Sequence, residues 1–280
     1  MFLIRNAKWL APQVRQLEVE APRVAKRHQP GHFVIVRVRE PGERIPLTVA
    51  RSDAEAGTIT LVVQVVGATT EMLCNLQAGD SIMNVVGPLG KPTEIENFNH
   101  AVLVGGGVGT AVIYPQAEAL KKAGNKVSAV IGGRTKEYVI FEQELSEHCD
   151  AVYPCTDDGS YGYNGFVTGK LQELLEDKSA RIGVVLAAGP VPMMRAIAKV
   201  TKPFNVRTIV SLNPIMVDGT GMCGGCRVTI GGETKFACVD GPDFEAQDVD
   251  FDELTDRLTT YRDHEKIAWD RLHKCKCAQS

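Results

Sequence analysis

A chain of 280 residues is long enough for two compact domains and an appendage, because single hydrophobic cores stop growing near this size. With 44% hydrophobic and 23% charged residues it is an ordinary folded chain rather than a disordered one. Its formal net charge of −3, with Lys and Arg scattered, leaves no basic stripe for nucleic acid. Arg5 and Lys8 interrupt the start before a signal-peptide core forms, and no run approaches the roughly 18 apolar residues that span a bilayer, so a cytoplasmic chain away from the membrane is expected.

In chain order, short β-type runs over residues 13–19, 33–38, 58–66 and 81–86 are broken by Gln29-Pro30-Gly31, Glu40-Pro41-Gly42, Glu55-Ala56-Gly57 and Ala78-Gly79-Asp80. Strands at this pace, with one short helix over 69–76, predict an antiparallel barrel. After residue 98 the pattern changes. Strands at 101–104, 127–131, 151–154, 183–187 and 207–211 alternate with helices at 110–123, 141–147, 169–175 and 193–200, with Gly124 closing the first helix. That alternation predicts a parallel sheet covered on both faces. Residues 213–243 are glycine-rich and too poor in apolar residues to build a core, so an inorganic group is expected to organise them. Residues 251–273 carry Leu254, Leu258, Ile267 and Leu272 among charges and read as a helical tail packed on a neighbour. The expected fold is therefore a β-barrel plus α/β: a barrel at 1–98, a nucleotide-binding α/β domain at 99–211, a metal-binding segment at 212–250 and a helical tail at 251–280.

The strongest motif is Asp218-Gly-Thr-Gly-Met-Cys223-Gly-Gly-Cys226, followed by Cys238 after a hairpin at 227–237. Plant-type [2Fe–2S] loops space their ligands as Cys, four residues, Cys, two residues, Cys and a distant Cys. Asp218 occupies the first place of that spacing. A carboxylate is harder than a thiolate but still anionic, so it can serve iron there. The glycines at 219, 221, 224 and 225 permit close backbone approach and positive φ. Three rival readings stay open: a zinc site, for which a second Cys-x-x-Cys is missing; a redox dithiol, for which the second cysteine should run into a helix; and buried cysteines without function. Cys74, Cys149 and Cys155 are read as core residues, and Cys275 and Cys277 as terminal residues without a role.

Two further signals concern nucleotides. Ala101-Val-Leu-Val-Gly105-Gly106-Gly107-Val108-Gly109-Thr110 is a strand feeding a glycine turn that opens a helix, whose free amides and dipole suit a pyrophosphate. Gly132-Gly133-Arg134, Thr156-Asp157-Asp158 and Ala188-Gly189-Pro190-Val191-Pro192-Met193-Met194 follow later strands, at the edge where α/β sheets bind ligands. At the barrel, Arg44-Ile45-Pro46-Leu47-Thr48 and the run from Val63 to Met72, with its Gly-Ala-Thr-Thr turn, offer a hydroxyl, backbone amides and a helix start to a flavin; ordinary turns share these features.

Read in order, these signals resemble the ferredoxin-reductase superfamily. The chain is similar to electron-transfer subunits of bacterial dihydroorotate dehydrogenase. It most resembles the small (alpha) subunits of NADH-dependent reduced ferredoxin:NADP oxidoreductases, the electron-bifurcating transhydrogenases, over residues 1 to 250. Aspartate at position 218 and the run Cys238-Val-Asp-Gly-Pro-Asp-Phe carry the second likeness, since the dihydroorotate-linked subunits have cysteine at the place of Asp218. There is a departure at the flavin site: their Arg-Pro-Ile-Ser would put arginine at Ile45, whereas this chain has Arg44.

The resemblance implies an oxidoreductase subunit with FAD, NAD(H) and a [2Fe–2S] cluster. FAD would be lined by Pro46, Leu47, Thr48, Val63, Gln64, Val65, Thr69 and Thr70. The dinucleotide would be lined by Gly106, Gly107, Val108, Gly109, Thr110, Arg134, Asp158, Gly189, Pro190, Met193 and Met194. The cluster would be held by Asp218, Cys223, Cys226 and Cys238. No acid–base residue is assigned. The implied partner is a larger subunit with its own flavin and [4Fe–4S] clusters, forming a heterodimer and reaching ferredoxin through that subunit. The alternatives are a dihydroorotate dehydrogenase partner or, outside enzymology, a zinc-stapled dinucleotide-binding sensor or scaffold.

Overall fold

A computed structural model describes residues 1–277 and the side chains of residues 1–274; the side chains of Cys275 and Cys277 lie outside the described residues. The first sheet comprises β1 (Phe2–Ala11), β2 (Val14–Glu20), β3 (Phe33–Arg37), β4 (Ile45–Asp53), β5 (Thr58–Gln64), β6 (Ser81–Ile82) and β7 (Asn84–Leu89). Helix α1 (Pro22–Ala25) precedes β3, and α2 (Ala68–Cys74) follows β5. The strands are antiparallel in the order β6-β1-β2-β5-β4-β3-β7. The two edge strands, β6 and β7, are separated in sequence only by Met83, so chain continuity draws the edges together and nearly closes a barrel. Alternate residues Leu17, Val19, Ile59, Leu61 and Val63 fill its interior. The sequence pattern missed β1. Only Ile4 and Ala11 of that strand are buried, and its place is held by backbone pairing to β2 and β6 rather than by apolar alternation.

The second sheet begins with β8 (His100–Gly106), α3 (Gly109–Lys122), β9 (Lys126–Gly133), α4 (Glu142–Ser146), β10 (Ala151–Thr156) and β11 (Tyr163–Asn164). It continues through α5 (Val167–Glu176), β12 (Val184–Ala188), α6 (Val191–Thr201) and β13 (Arg207–Ser211). These strands are parallel, in the order β11-β10-β9-β8-β12-β13. Every residue of β8 is buried, as a central parallel strand covered on both faces requires. The chain lays strands outward from β8 to β11, then crosses back to place β12 on the other side of β8. The topological switch point therefore lies between β8 and β12.

The remaining elements are β14 (Arg227–Ile230), β15 (Glu233–Phe236), α7 (Ala237–Asp240), β16 (Asp243–Glu245), α8 (Phe251–Arg257) and α9 (Arg262–Cys277). Gly231 and Gly232, at φ +58° and +81°, make the two-residue turn of the β14–β15 hairpin. Strand β16, too short to show in the sequence, joins β13 antiparallel and returns the chain to the sheet. The expected tail divides in two. Asp250 caps α8 by accepting from the Asp252 and Glu253 amides, and α8 packs on α6 and β14. Helix α9 reaches the barrel helix α2, where His273 Nε2 stands 2.9 Å from Glu71 Oε2.

Apolar packing ties these parts together. One face of the parallel sheet is covered by α3 and α4 and by barrel residues Ala11, Val14, Ala50 and Val62. The other is covered by α5, α6 and the last segment, whose Met216, Val228, Ala237, Phe244 and Leu254 join the same core as Phe33 and Ile35.

His28, behind β4 with its Nδ1 2.9 Å from Ser52 Oγ, has its pKa pushed down to about 4, first by burial and then by His32. The unfolded chain binds that proton from about pH 6.5 downward. The stabilisation from the neutral ring is therefore complete above pH 6.5 and lost as pH falls toward 4, with a slope of at most about 1.4 kcal/mol per unit. Thermal melting against pH is expected to show a shallower acid limb in His28→Gln; an unchanged limb would contradict this assignment.

Candidate functional site

A cleft of about 750 Å³ runs between the barrel and the carboxyl ends of the parallel strands. Three stretches of chain form its walls. The barrel contributes Gln13, Phe33, Pro46, Leu47, Thr48, Val62 and Gln64. The switch point contributes Gly106, Gly107, Val108, Gly109, Gly189, Pro190 and Met193, and the base of the cysteine-bearing segment contributes Ser211, Leu212, Asn213, Met216 and Pro242.

On the barrel side, Pro46, Leu47, Thr48 and Gln64 line the cleft as expected from the sequence, but Val63 and Val65 do not. Side chains alternate along a strand, so Val62 and Gln64 face the cleft while Val63 is buried in the barrel core with Val65 packed against it. Thr69 and Thr70 also lie outside the cleft. The Thr69 hydroxyl donates to Glu43, and Thr70 Oγ1 accepts from the Val66 and Gly67 amides, closing the turn that opens α2. Arg44 is exposed and does not line the cleft.

At the switch point the backbone turns are pressed together. A Cβ at Gly109 would stand 2.1 Å from the Ala188 carbonyl oxygen, and one at Gly106 would stand 2.4 Å from Met193 Sδ. Gly107 differs: its φ is +55° and nothing lies within 4 Å of the Cβ position, so the turn presents bare backbone to the cleft. Helices α3 and α6 both start here, bringing two helix N-termini to one place, although at α6 Pro190 and Pro192 carry no N–H and the Met193 amide donates to the Pro190 carbonyl. Met193 lines the cleft while Met194 is buried in the core, and Thr110 is buried under the turn.

Farther along, Arg134 lines the cleft with Asp157, Tyr138 and Phe166. Asp158 does not. Hydrogen bonds from the Ser160 hydroxyl and amide hold its carboxyl below the usual carboxylate range. Phe166 stands 69% exposed beside the cleft, an aromatic face open to a planar ligand. The sequence points to the loop that holds Asp157, with Asp158 as the lining residue, and to none of Val62, Phe166 and Tyr138. Strict period-two alternation would have found Val62; for the others the signal was only position after a parallel strand.

The candidate metal ligands fall into two pairs. Asp218 Oδ2 accepts from the Cys223 amide at 2.9 Å on the outer side of the loop, and Oδ1 accepts from the Thr220 amide at 2.9 Å. These bonds, Thr220 first, hold the Asp218 carboxyl below its ordinary range, so it is anionic. Cys226 and Cys238 are buried, their sulfurs 3.1 Å apart, which is too long for a disulfide bond. Both belong to the apolar core of the sheet's second face. Burial, with Cys226 adjacent, pushes the Cys238 thiol up to about 12. Gly219, Gly221 and Gly224 adopt φ of +77°, +85° and +67°, wrapping the loop between the pairs. Among the described residues no three His, Cys, Asp or Glu side chains converge on one metal position. A two-by-two donor set fits a binuclear cluster, which needs two ligands on each iron, better than the single tetrahedral ion of the zinc reading. Cys74 and Cys155 are buried thiols pushed up to about 11 by burial, and Cys149 to about 12.

A flavin-type barrel, a nucleotide switch point and a cysteine loop on one cleft define a flavin-dependent reductase with an iron–sulfur segment. Residues 2–93 match the oxidoreductase FAD-binding domain, and residues 213–250 match the iron–sulfur cluster binding domain of dihydroorotate dehydrogenase B. The dihydroorotate dehydrogenase B electron transfer subunit homolog of Thermotoga maritima is 49% identical, covering 97% of this chain and 95% of its own. The dihydroorotate dehydrogenase B electron transfer subunit of Bacillus caldolyticus is 34% identical over 88% of this chain and 96% of its own. A chain in the structure of an NADH-dependent reduced ferredoxin-NADP oxidoreductase, solved for insight into flavin-based electron bifurcation, superposes with a TM-score of 0.92. It is 48% identical, with 97% of each chain covered. The ferredoxin reductase of carbazole 1,9a-dioxygenase shares the fold alone, at 18% identity and a TM-score of 0.64 over 73% of this chain and 64% of its own. The chain belongs to the family of dihydroorotate dehydrogenase B electron transfer subunits and their homologs. No helix among the described residues is long and apolar enough to cross a membrane.

Gly107→Ala is expected to fold, at a cost of about 1–2 kcal/mol for its left-handed backbone, and to lose dinucleotide affinity. Gly109→Ala has no space for its methyl group and is expected to melt far lower. Thermal unfolding with NADH titration separates them; equal behaviour of the two variants would refute the geometry. Cys226→Ser and Cys238→Ser are each expected to lose most bound iron and sulfide on analysis, while Cys74→Ser and Cys155→Ser keep it. Full iron in either of the first two would remove those ligands from the set.

Proposed function

We propose that this chain is the electron-transfer subunit of an oxidoreductase of the NADH-dependent reduced ferredoxin:NADP type, linking NAD(H), FAD and a [2Fe–2S] cluster to a larger partner. One observation carries the proposal: barrel, switch point and base of the cysteine segment wall a single cleft. When bound, the nicotinamide supplies hydride, the flavin accepts two electrons and can give them singly, and the cluster takes one at a time.

The chain's own work is positioning. Pro46, Leu47 and Thr48 on β4, with Gln64 on β5, offer a wall for the flavin ring, and the Thr48 region supplies strand backbone beside it. Gly106, Gly107 and Gly109, backed by Met193, bring bare backbone and two helix starts to the dinucleotide phosphates. Arg134, Asp157 and Phe166 stand farther out, where the adenosine end would lie. Asp218, Cys223, Cys226 and Cys238 would hold the cluster. No side chain needs to move a proton for hydride transfer, so the contribution is orientation and exclusion of water.

The division into 1–98, 99–211, 212–250 and 251–280 follows from the same reading, with the flavin barrel, nucleotide domain, cluster segment and tail in that order. The partner is a larger subunit with its own flavin and [4Fe–4S] clusters, in the cytoplasm, and it exchanges electrons with ferredoxin. A dihydroorotate dehydrogenase partner is the second reading, favoured by the match of residues 213–250 to that enzyme's cluster domain.

Steady-state reduction of the flavin in the reconstituted chain tests the cofactor assignment. NADH is expected to be preferred to NADPH, because Asp157 shares the outer cleft with Arg134 and disfavours a second phosphate there. A clear preference for NADPH would overturn it.

A further inference from the structure

The cysteine-bearing segment leaves the parallel sheet after Ser211 and rejoins it at Asp243, and these two residues face each other across the β13–β16 pair. Asp243 is where four stretches of chain meet. Its Oδ2 accepts from the Thr93 hydroxyl at 2.6 Å, in the link between barrel and sheet, and from Gln116 Nε2 of α3 at 3.4 Å. Gln116 Nε2 also donates to Thr93 Oγ1 at 2.8 Å, and Ser211 sits opposite Asp243 in the strand register. The barrel in turn grips Thr93. Its amide donates to the Pro30 carbonyl at 2.8 Å, and Gly31, at φ +90°, passes so close that a Cβ there would stand 2.5 Å from Thr93 Oγ1. Two backbone bonds brace the joint, from Lys91 N to Gly241 O at 2.6 Å and from Leu212 N to Pro242 O at 2.9 Å.

The other Asp243 oxygen, Oδ1, is buried without a partner. A buried polar atom left without a hydrogen bond is destabilising, so stability alone is a poor reason for a carboxyl at this place. Its neighbours suggest another. Ser211, Leu212 and Pro242 line the cleft, while the chain between Ser211 and Asp243 carries all four candidate cluster ligands. The joint therefore stands between the cleft and the loop.

We infer that Asp243 is a positioning residue: through Thr93, Gln116 and Ser211 it fixes the cluster-binding segment against the flavin–nicotinamide cleft and so governs single-electron transfer between them. This rests on the electron-transfer function proposed above. Each event moves one electron from the reduced flavin to the oxidised cluster, with no bond to the protein made or broken. The rate of such a transfer falls steeply with separation. Hydride transfer inside the cleft does not use the joint.

The test is anaerobic stopped-flow mixing of the full-length chain, loaded with FAD and cluster, with NADH, following flavin and cluster bands separately. Asp243→Ala is expected to leave flavin reduction at the wild-type rate and to slow cluster reduction by about tenfold to a hundredfold, since a misplacement of about 1 Å can cost the larger factor. Iron content and the spectrum of the dithionite-reduced cluster should stay unchanged. Asp243→Asn, which keeps an acceptor oxygen, should recover part of the rate, and Thr93→Val should reproduce the defect. Wild-type cluster reduction in both Asp243→Ala and Thr93→Val, or equal slowing of both steps, overturns the inference. If Asp243→Ala fails to fold or to hold its cluster, Thr93→Val decides alone. A wild-type cluster that NADH never reduces would instead overturn the electron-transfer function itself.

Discussion

The close approach of two backbone turns organises this molecule. Where β8 runs into α3 and β12 runs into α6, the chains pass without room for side chains: the Gly109 Cβ position stands 2.1 Å from the Ala188 oxygen, and that of Gly105 stands 2.7 Å from Thr110 Cα. That contact exists because the strand order reverses between β8 and β12, leaving a crevice no crossover helix can fill. The barrel closes the crevice from one side through Pro46, Leu47 and Thr48, and the cysteine segment closes it from another through Leu212, Met216 and Pro242. A glycine-lined gap thus becomes a walled cleft.

The cysteine segment is held by means other than its own core. It begins and ends on the same sheet, at Ser211 and Asp243, and its apolar residues Met216, Val228, Ala237 and Phe244 are absorbed into the core of the sheet's second face. Helix α8 supports it from outside, with Arg257 donating to the Gly225 carbonyl at 3.0 Å and Asp252 pairing with Arg195 of α6 at 2.7 Å. Burial raises the cost of a thiolate at Cys238, which iron would repay, while Asp218 is half-buried and Cys223 exposed. The asymmetry gives the candidate ligand set an inner side in the core of the sheet's second face and an outer side toward solvent.

Much of this was legible in the residues. The alternation of strands and helices after residue 98 reports burial on both faces, and a strand such as β8, apolar from Ala101 to Val104, has few other readings. The ligand spacing from Asp218 to Cys226 was equally plain, since glycine at positive φ leaves a visible mark. What escaped has physical reasons. Strand β1 is held by backbone pairing, which no side-chain pattern records. Strand β16 has three residues and exists only because β13 offers an edge. The choice of Val63 over Val62 came from reading a run of residues as a motif when the pleat decides which face each one meets. Which of Asp157 and Asp158 faces the cleft, and the place of Phe166, depend on loop conformations after β10 and β11 that only tertiary contacts define, and the meeting of Thr93, Gln116 and Asp243 spans 150 positions of sequence.

The central claim is that one cleft carries electrons from a nicotinamide through a flavin to the cluster loop. The most direct measurement is the anaerobic visible spectrum of the purified, cofactor-loaded chain during titration with NADH, without any partner. The account predicts that flavin and iron–sulfur bands both bleach as NADH is added. Bleaching of the flavin alone, with a cluster that only dithionite reduces, would contradict it.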